Sequence, residues 1–124
     1  MTKIMVVDDD QDATALFEEV LKAEGYEPIL LNESAKALQL AKNEKPSLFI
    51  LDLMMPDPDG FKLCRALRKE PEFRQTPIII VTALNDTDSR IVAIGAGAND
   101  YLTKPFRLDE LYTSIKEQLE EAME

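Results

Sequence analysis

Three acids in a row, Asp8-Asp9-Asp10, a lone Asp52 inside an apolar run, Thr82-Ala83 closing another, and Lys104-Pro105 are the groups of this sequence suited to joint chemistry. Carboxylates crowded together repel unless a cation sits among them, and hard oxygen ligands favour Mg²⁺. A lysine and a hydroxyl facing such a cluster supply the charge and the donors that the oxygens of a bound phosphoryl group need. The set points to phosphoryl transfer onto a carboxylate, with the metal and Lys104 neutralising the charge that develops. The chain has no histidine. That removes Ser-His-Asp and Cys-His catalytic arrangements, most zinc sites and any phosphohistidine carried in cis.

Such a cluster forms only if the chain brings positions 8, 52, 82 and 104 together, and the apolar pattern says how. Five strand candidates, Ile4–Val7, Pro28–Leu31, Leu48–Leu53, Ile78–Thr82 and Asp100–Leu102, are bounded by Asp, Gly, Pro and Asn. Helical periods lie between them. Ala13, Leu16, Phe17, Val20 and Leu21 recur at helical spacing, with Gly25 as a C-terminal cap. A second helix starts at Ser34 and buries Ala37, Leu38 and Ala41; a third offers Phe61, Leu63, Cys64 and Leu67. The fourth, Asp88 to Gly95, offers Ile91, Val92 and Ile94, and the last offers Leu108, Leu111, Tyr112, Ile115 and Leu119. The acidic stretch Glu117 to Glu124 reads as the end of that helix.

Alternating strands and helices, with near-continuous apolar strands, predict an α/β fold: a parallel sheet covered on both faces. Five units fit a doubly wound, flavodoxin-like order 2-1-3-4-5. In open parallel sheets a site lies outside the carboxyl ends of the strands, at the switch in strand order. With that order strands 1 and 3 adjoin, so Asp8 and Asp9 should face Asp52, with Thr82 and Lys104 approaching from the other side.

The 124 residues predict one domain, spanning 1–124, either stand-alone or cut from a longer protein. A formal net charge of −10 argues against this chain gripping a phosphate backbone by itself. Its apolar runs fall far short of the roughly 20 residues that span a bilayer. One cysteine allows no internal disulfide, and a cytoplasmic location is the default expectation. Cys64 lies on an apolar helical face and reads as a core residue.

At four places the residues resemble a known family. Val6-Val7-Asp8-Asp9-Asp10, Leu51-Asp52-Leu53-Met54-Met55-Pro56 with Asp59-Gly60, Val81-Thr82-Ala83 and Tyr101-Leu102-Thr103-Lys104-Pro105-Phe106 are similar to the receiver domain of two-component response regulators. The resemblance covers essentially the whole chain. It implies that Asp52 accepts a phosphoryl group from the phosphohistidine of a sensor histidine kinase or a histidine phosphotransfer protein. It implies that Asp8, Asp9, Asp52 and the Met54 backbone carbonyl hold Mg²⁺, that Thr82 and the Ala83 amide contact the phosphoryl oxygens, and that Lys104 pairs with them. Tyr101 would be the aromatic whose position changes on activation, and Thr82 its partner in the switch. The resemblance, with the need to turn Lys104 inward after a strand, also predicts a cis Lys104–Pro105 peptide. The side chains flanking the approach of water to the acyl phosphate would be Met54 and Leu84, both bulky and neither able to direct a water, which predicts slow self-dephosphorylation.

Plainer roles compete for some of these residues. Asp10 is the most suited of its trio to cap the first helix, Gly60 suits loop geometry, and Tyr101 could be ordinary strand packing. Asp8, Asp10, Asp12 and Glu19 mimic an EF-hand loop, but Ala13 stands where its glycine belongs. Two other functions remain open from the residues: an aspartyl-phosphate-forming hydrolase, and a receiver-like scaffold that is never phosphorylated. Against the hydrolase, Met54 stands where its phosphatases carry a second acid, and no insertion supplies a substrate cap. The output partner has no signature in the sequence.

Overall fold

The computed structural model describes residues 1–123. Large and β-branched apolar side chains fill β1 (Lys3–Val7), β3 (Leu48–Leu51) and β4 (Ile78–Thr82), and every residue of β3 and β4 is buried. Strands of this kind need cover on both faces. With β2 (Glu27–Leu31) and β5 (Asp100–Thr103) at the edges they form one parallel sheet of order β2-β1-β3-β4-β5. The helices α1 (Gln11–Ala23), α2 (Ala37–Glu44), α3 (Gly60–Lys69), α4 (Thr87–Gly95) and α5 (Leu108–Ala122) alternate with the strands.

Successive strand residues point to opposite faces, which splits the core in two. Met5, Val7, Phe49, Leu51, Ile78 and Ile80 pack with Ala37 and Ala41 of α2, Leu63, Cys64 and Leu67 of α3, and Ala93 of α4. Ile4, Val6, Leu48, Ile50, Ile79 and Val81 pack with Phe17, Val20 and Leu21 of α1 and with Leu111 and Ile115 of α5. Register then sets the site. Val7 lies beside Leu51, Leu51 beside Ile80, and Thr82 beside Thr103, so residues 8, 52, 82 and 104 all emerge at one end of the sheet.

Several expected boundaries and faces shift. β3 stops at Leu51 rather than Leu53, because the chain turns there: the amides of Met55 and Gly60 both donate to the Leu53 carbonyl. Ser34 opens a 3₁₀ turn, Ser34–Lys36, and α2 proper begins at Ala37. The expected face of α4 is corrected. Ile91, Val92 and Ile94 are exposed, Ile91 by 63%, and Ala93 is the buried residue. At helical spacing these three side chains share one broad side of the helix and residue 93 lies on the opposite one, and small Ala93, Ala96 and Ala98 fill the space under the helix. Leu16 and Leu108, expected inside, are also exposed. Gly25 does end α1: it sits at φ 82° and donates to the Lys22 carbonyl, while the Tyr26 amide reaches back to the Leu21 carbonyl. The acidic stretch expected to end the last helix lies in α5 as far as Ala122, and Glu124 lies outside the described residues.

Candidate functional site

Asp8 leaves the end of β1 with its amide hydrogen-bonded to the Leu31 carbonyl, and Asp52 leaves β3 with its amide on the Val7 carbonyl. Both acids are thus placed by backbone bonds that extend the sheet by one residue, and both are buried, at 1% and 7% exposure. Lys104 reaches between them. Its Nζ lies 2.7 Å from Asp8 Oδ2 and 3.1 Å from Asp52 Oδ2. The other oxygens are held by backbone: Asp8 Oδ1 accepts from the Asp10 amide at 3.0 Å, and Asp52 Oδ1 from the Met54 amide at 3.1 Å.

Burial pushes the Asp8 carboxyl above the ordinary value of 3.8 and the Asp52 charge adds to this, although the Lys104 hydrogen bond and charge and the Asp10 amide all work against it. Burial alone would weaken the Lys104 ammonium. The hydrogen bonds to Asp8 and Asp52 and their charges overcome that effect and hold it above its ordinary value. The lysine therefore stays protonated beside two acids, one of which is reluctant to ionise.

The remaining expected site residues stand around this cluster. Asp9 is exposed at the rim. Asp10 faces away and caps α1, its Oδ1 accepting from the Asp12 amide at 2.9 Å. Thr82 is fully buried, and its Oγ1 accepts a long bond, 3.4 Å, from the Leu84 amide. Ala83 and Met54 are exposed, Met54 by 55%. Tyr101 is buried, its hydroxyl donating to the Leu84 carbonyl at 2.7 Å, with the Arg90 guanidinium 5.8 Å from its ring centre. The Lys104–Pro105 peptide is cis; so is Asp57–Pro58, which nothing in the sequence singled out. Gly60, the first residue of α3, leaves no room for a side chain, since a Cβ would collide with the Asp52 carbonyl.

Does this cluster fit Mg²⁺? The donors are all oxygen, hard, and carry more negative charge than Lys104 cancels, which suits that ion. Among the described residues no three Asp, Glu or Cys side chains converge into a ready cage. Mg²⁺ retains several waters and takes one or two carboxylates, so a partial set is what it uses.

Two polar side chains passed over in the sequence hold the loops from behind. Asn32 Nδ2 donates to the Asp8 carbonyl at 2.8 Å and to Thr14 Oγ1 at 3.1 Å, and Ser34 Oγ donates to the Pro56 carbonyl at 3.0 Å. Their one signal was place: both lie within three residues of the carboxyl end of β2.

Comparisons with known proteins identify the family and the fold. The model of the response regulator receiver domain matches residues 4–116. The chain is 41% identical over 119 residues to the transcriptional regulatory protein GltR of Pseudomonas aeruginosa, covering 96% of this chain and 49% of that protein. It is 42% identical to a probable transcriptional regulator of Porphyridium aerugineum, covering 94% of this chain and 48% of the relative. The chain therefore spans about half the length of these relatives. Among solved structures, a putative response regulator from Chloroflexus aurantiacus superposes with a TM-score of 0.91 at 36% identity, covering 95% of this chain and 97% of that one. The BeF3-activated N-terminal receiver domain of Klebsiella pneumoniae RstA gives 0.90 at 30% identity, covering 95% and 98%. The family model, the relatives and the sheet order converge, and the chain belongs to the response regulator receiver domain family.

Proposed function

We propose that residues 1–124 act as one receiver domain in which Asp52 is the phosphoryl acceptor. The observation that carries the reading is the Lys104 bridge, 2.7 Å to Asp8 and 3.1 Å to Asp52, which gathers two buried acids and one cation at the switch in strand order. An Asp52 oxygen attacks phosphorus, the P–N bond to the donor's imidazole breaks with its electron pair going to nitrogen, and the imidazole, which already carries a proton on its other ring nitrogen, leaves neutral. The donor is a sensor histidine kinase or a histidine phosphotransfer protein.

Asp8, Asp9, Asp52 and the Met54 carbonyl are the groups that would hold Mg²⁺, which when bound offsets the negative charge gathered on the phosphoryl oxygens. Lys104 keeps its proton and pairs with those oxygens. The Thr82 hydroxyl and the Ala83 amide supply donors to them. Thr82 and Tyr101 form the switch: the Leu84 amide rests on Thr82 Oγ1 and the Leu84 carbonyl accepts from the Tyr101 hydroxyl, so a pull on Thr82 reaches Tyr101 through one residue.

The chemistry is self-directed, followed by slow loss of the phosphoryl group. No helix among the described residues is long and apolar enough to cross a membrane, and the cytoplasm, where the expected donors present their phosphohistidines, is the proposed location. The acidic domain does not itself grip nucleic acid. GltR and the algal relative are named as transcriptional regulators, and a DNA-binding output would belong to the half of such proteins that this chain does not span.

Acetyl phosphate with Mg²⁺, followed by intact mass, tests the reading. A lasting gain of one phosphoryl group supports it, turnover without accumulation supports a hydrolase, and no reaction supports a scaffold.

A further inference from the structure

We propose that the connection between β2 and α2, which contributes no side chain to the acidic cluster, positions both acid-bearing loops and thereby sets the affinity of the site for Mg²⁺. Asn32 acts on the Asp8 carbonyl and Ser34 on the Pro56 carbonyl. The inference rests on reading the cluster as a Mg²⁺-dependent acceptor site.

The first prong ties residue 8 to the edge strand twice. The Asp8 amide donates to the Leu31 carbonyl at 3.1 Å, and the Asp8 carbonyl accepts from Asn32 Nδ2 at 2.8 Å. A peptide unit is planar, so fixing the Asp8 carbonyl also fixes the Asp9 nitrogen and narrows where the Asp9 Cα, from which that side chain leaves, can lie. Asp9 is exposed, and no hydrogen bond or ion pair to its carboxylate is found among the described residues, so its aim comes from the backbone alone. The second bond of Asn32, to Thr14 Oγ1, meets a hydroxyl that itself donates to the Gln11 carbonyl. Asn32 thus locks the first turn of α1 to the same point.

The second prong acts on the other loop. Between Asp52 and Gly60 the chain carries Met54, and Ser34 Oγ donates to the carbonyl of Pro56 two residues farther on. Proline has no N–H, so that carbonyl is the one backbone polar group through which residue 56 can be held. Ser34 is buried, which shields the bond from competing water.

Why should this matter for the metal rather than for the fold alone? The acids present no convergent trio as they stand, so binding depends on how narrowly the two loops are confined near the productive arrangement. Groups that orient ligands without touching the metal typically change affinity when removed. Neither Asn32 nor Ser34 is a catalytic residue. Both are positioning residues.

The test compares the wild-type chain with Asn32→Ala, Ser34→Ala and the double variant. Mg²⁺ affinity is read by calorimetry, and phosphorylation by acetyl phosphate is followed as a function of Mg²⁺ concentration. Each single change should raise the Mg²⁺ dissociation constant about fivefold, the worth of one hydrogen bond. The two bonds lie on different loops, so the effects should multiply in the double variant. Half-saturating Mg²⁺ should rise in step while the rate at saturating Mg²⁺ stays near that of wild type. Should Asn32→Ala not fold, Asn32→Leu keeps the volume without the donor and reads the same quantity. Lower thermal stability with unchanged Mg²⁺ affinity reduces both side chains to structural ones and overturns the proposal. Wild type that neither binds Mg²⁺ nor gains a phosphoryl group overturns the acceptor-site reading along with it.

Discussion

Lys104 makes its shorter ion pair with Asp8, at 2.7 Å, and its longer one with Asp52, at 3.1 Å. The acid expected to accept the phosphoryl group is thus the more loosely held of the two. Asp8 is the more deeply buried, and even the closer lysine does not restore an ordinary carboxyl.

A stability effect follows from that burial. With a folded-state pKa above the unfolded value, the folded chain holds the proton more tightly. Stability contributed by Asp8 therefore falls as pH rises from 3.8 through the higher folded value. Asp8→Asn should be more stable than wild type at neutral pH, because the amide fills the same buried place with no charge to desolvate, while Lys104 keeps Asp52 as a partner. The advantage should disappear below that window, where wild-type Asp8 is itself neutral. Urea unfolding of both proteins across pH checks this; a wild type at least as stable at pH 7 would show that Lys104 outweighs the burial.

Asp52→Asn should abolish phosphorylation and leave the fold intact, because the amide keeps the volume and can still accept from the Met54 amide as Asp52 Oδ1 does. Intact mass after incubation with acetyl phosphate reads the first, and a cooperative unfolding transition the second. Label on the variant would place the acceptor elsewhere.

Gly60→Ala should destabilise the chain by about 3 kcal/mol and weaken phosphorylation together. The added methyl meets backbone, the Asp52 carbonyl and Leu53 Cα, rather than the yielding end of a side chain. Relief therefore requires moving the residue that carries the acceptor. Paired measurements of thermal stability and phosphorylation rate decide it, and a variant as stable and as reactive as wild type contradicts it.

What the sequence showed of this molecule depended on whether a role leaves a pattern. β4 was legible because Ile78 to Thr82 is apolar on both sides of the alternation, as a doubly covered strand must be. Asp8, Asp52 and Lys104 were legible because charge at the carboxyl ends of such strands has few structural uses. The burial of α4 was not legible: its large side chains face solvent and the residue that packs is Ala93, whose small size gives no periodic signal. Asn32 and Ser34 escaped for another reason. Each acts on a backbone carbonyl more than twenty positions away, and a carbonyl has no residue type to read.

Persistence of the phosphoryl group should be governed by Met54 and Leu84. An acyl phosphate is lost when water attacks in line with the bond that breaks, so side chains beside that approach control the rate. Met54 is exposed on the loop after Asp52, and Leu84 follows Thr82 by two residues with its backbone already engaged by Thr82 and Tyr101. Neither side chain offers a useful donor or acceptor to a water, and both are bulky. Polar replacements should therefore speed the loss. Each tenfold change in rate corresponds to about 1.4 kcal/mol on the barrier, which one well-placed hydrogen bond to water can supply. A Met54→Asn, Leu84→Glu double variant should lose its phosphoryl group about tenfold faster than wild type, with Mg²⁺ held saturating for both. The measurement is decay of the phosphorylated species by intact mass after the donor is removed. Equal decay would show that the lifetime is set by the cluster of Asp8, Asp52 and Lys104, and not by its two apolar flanks.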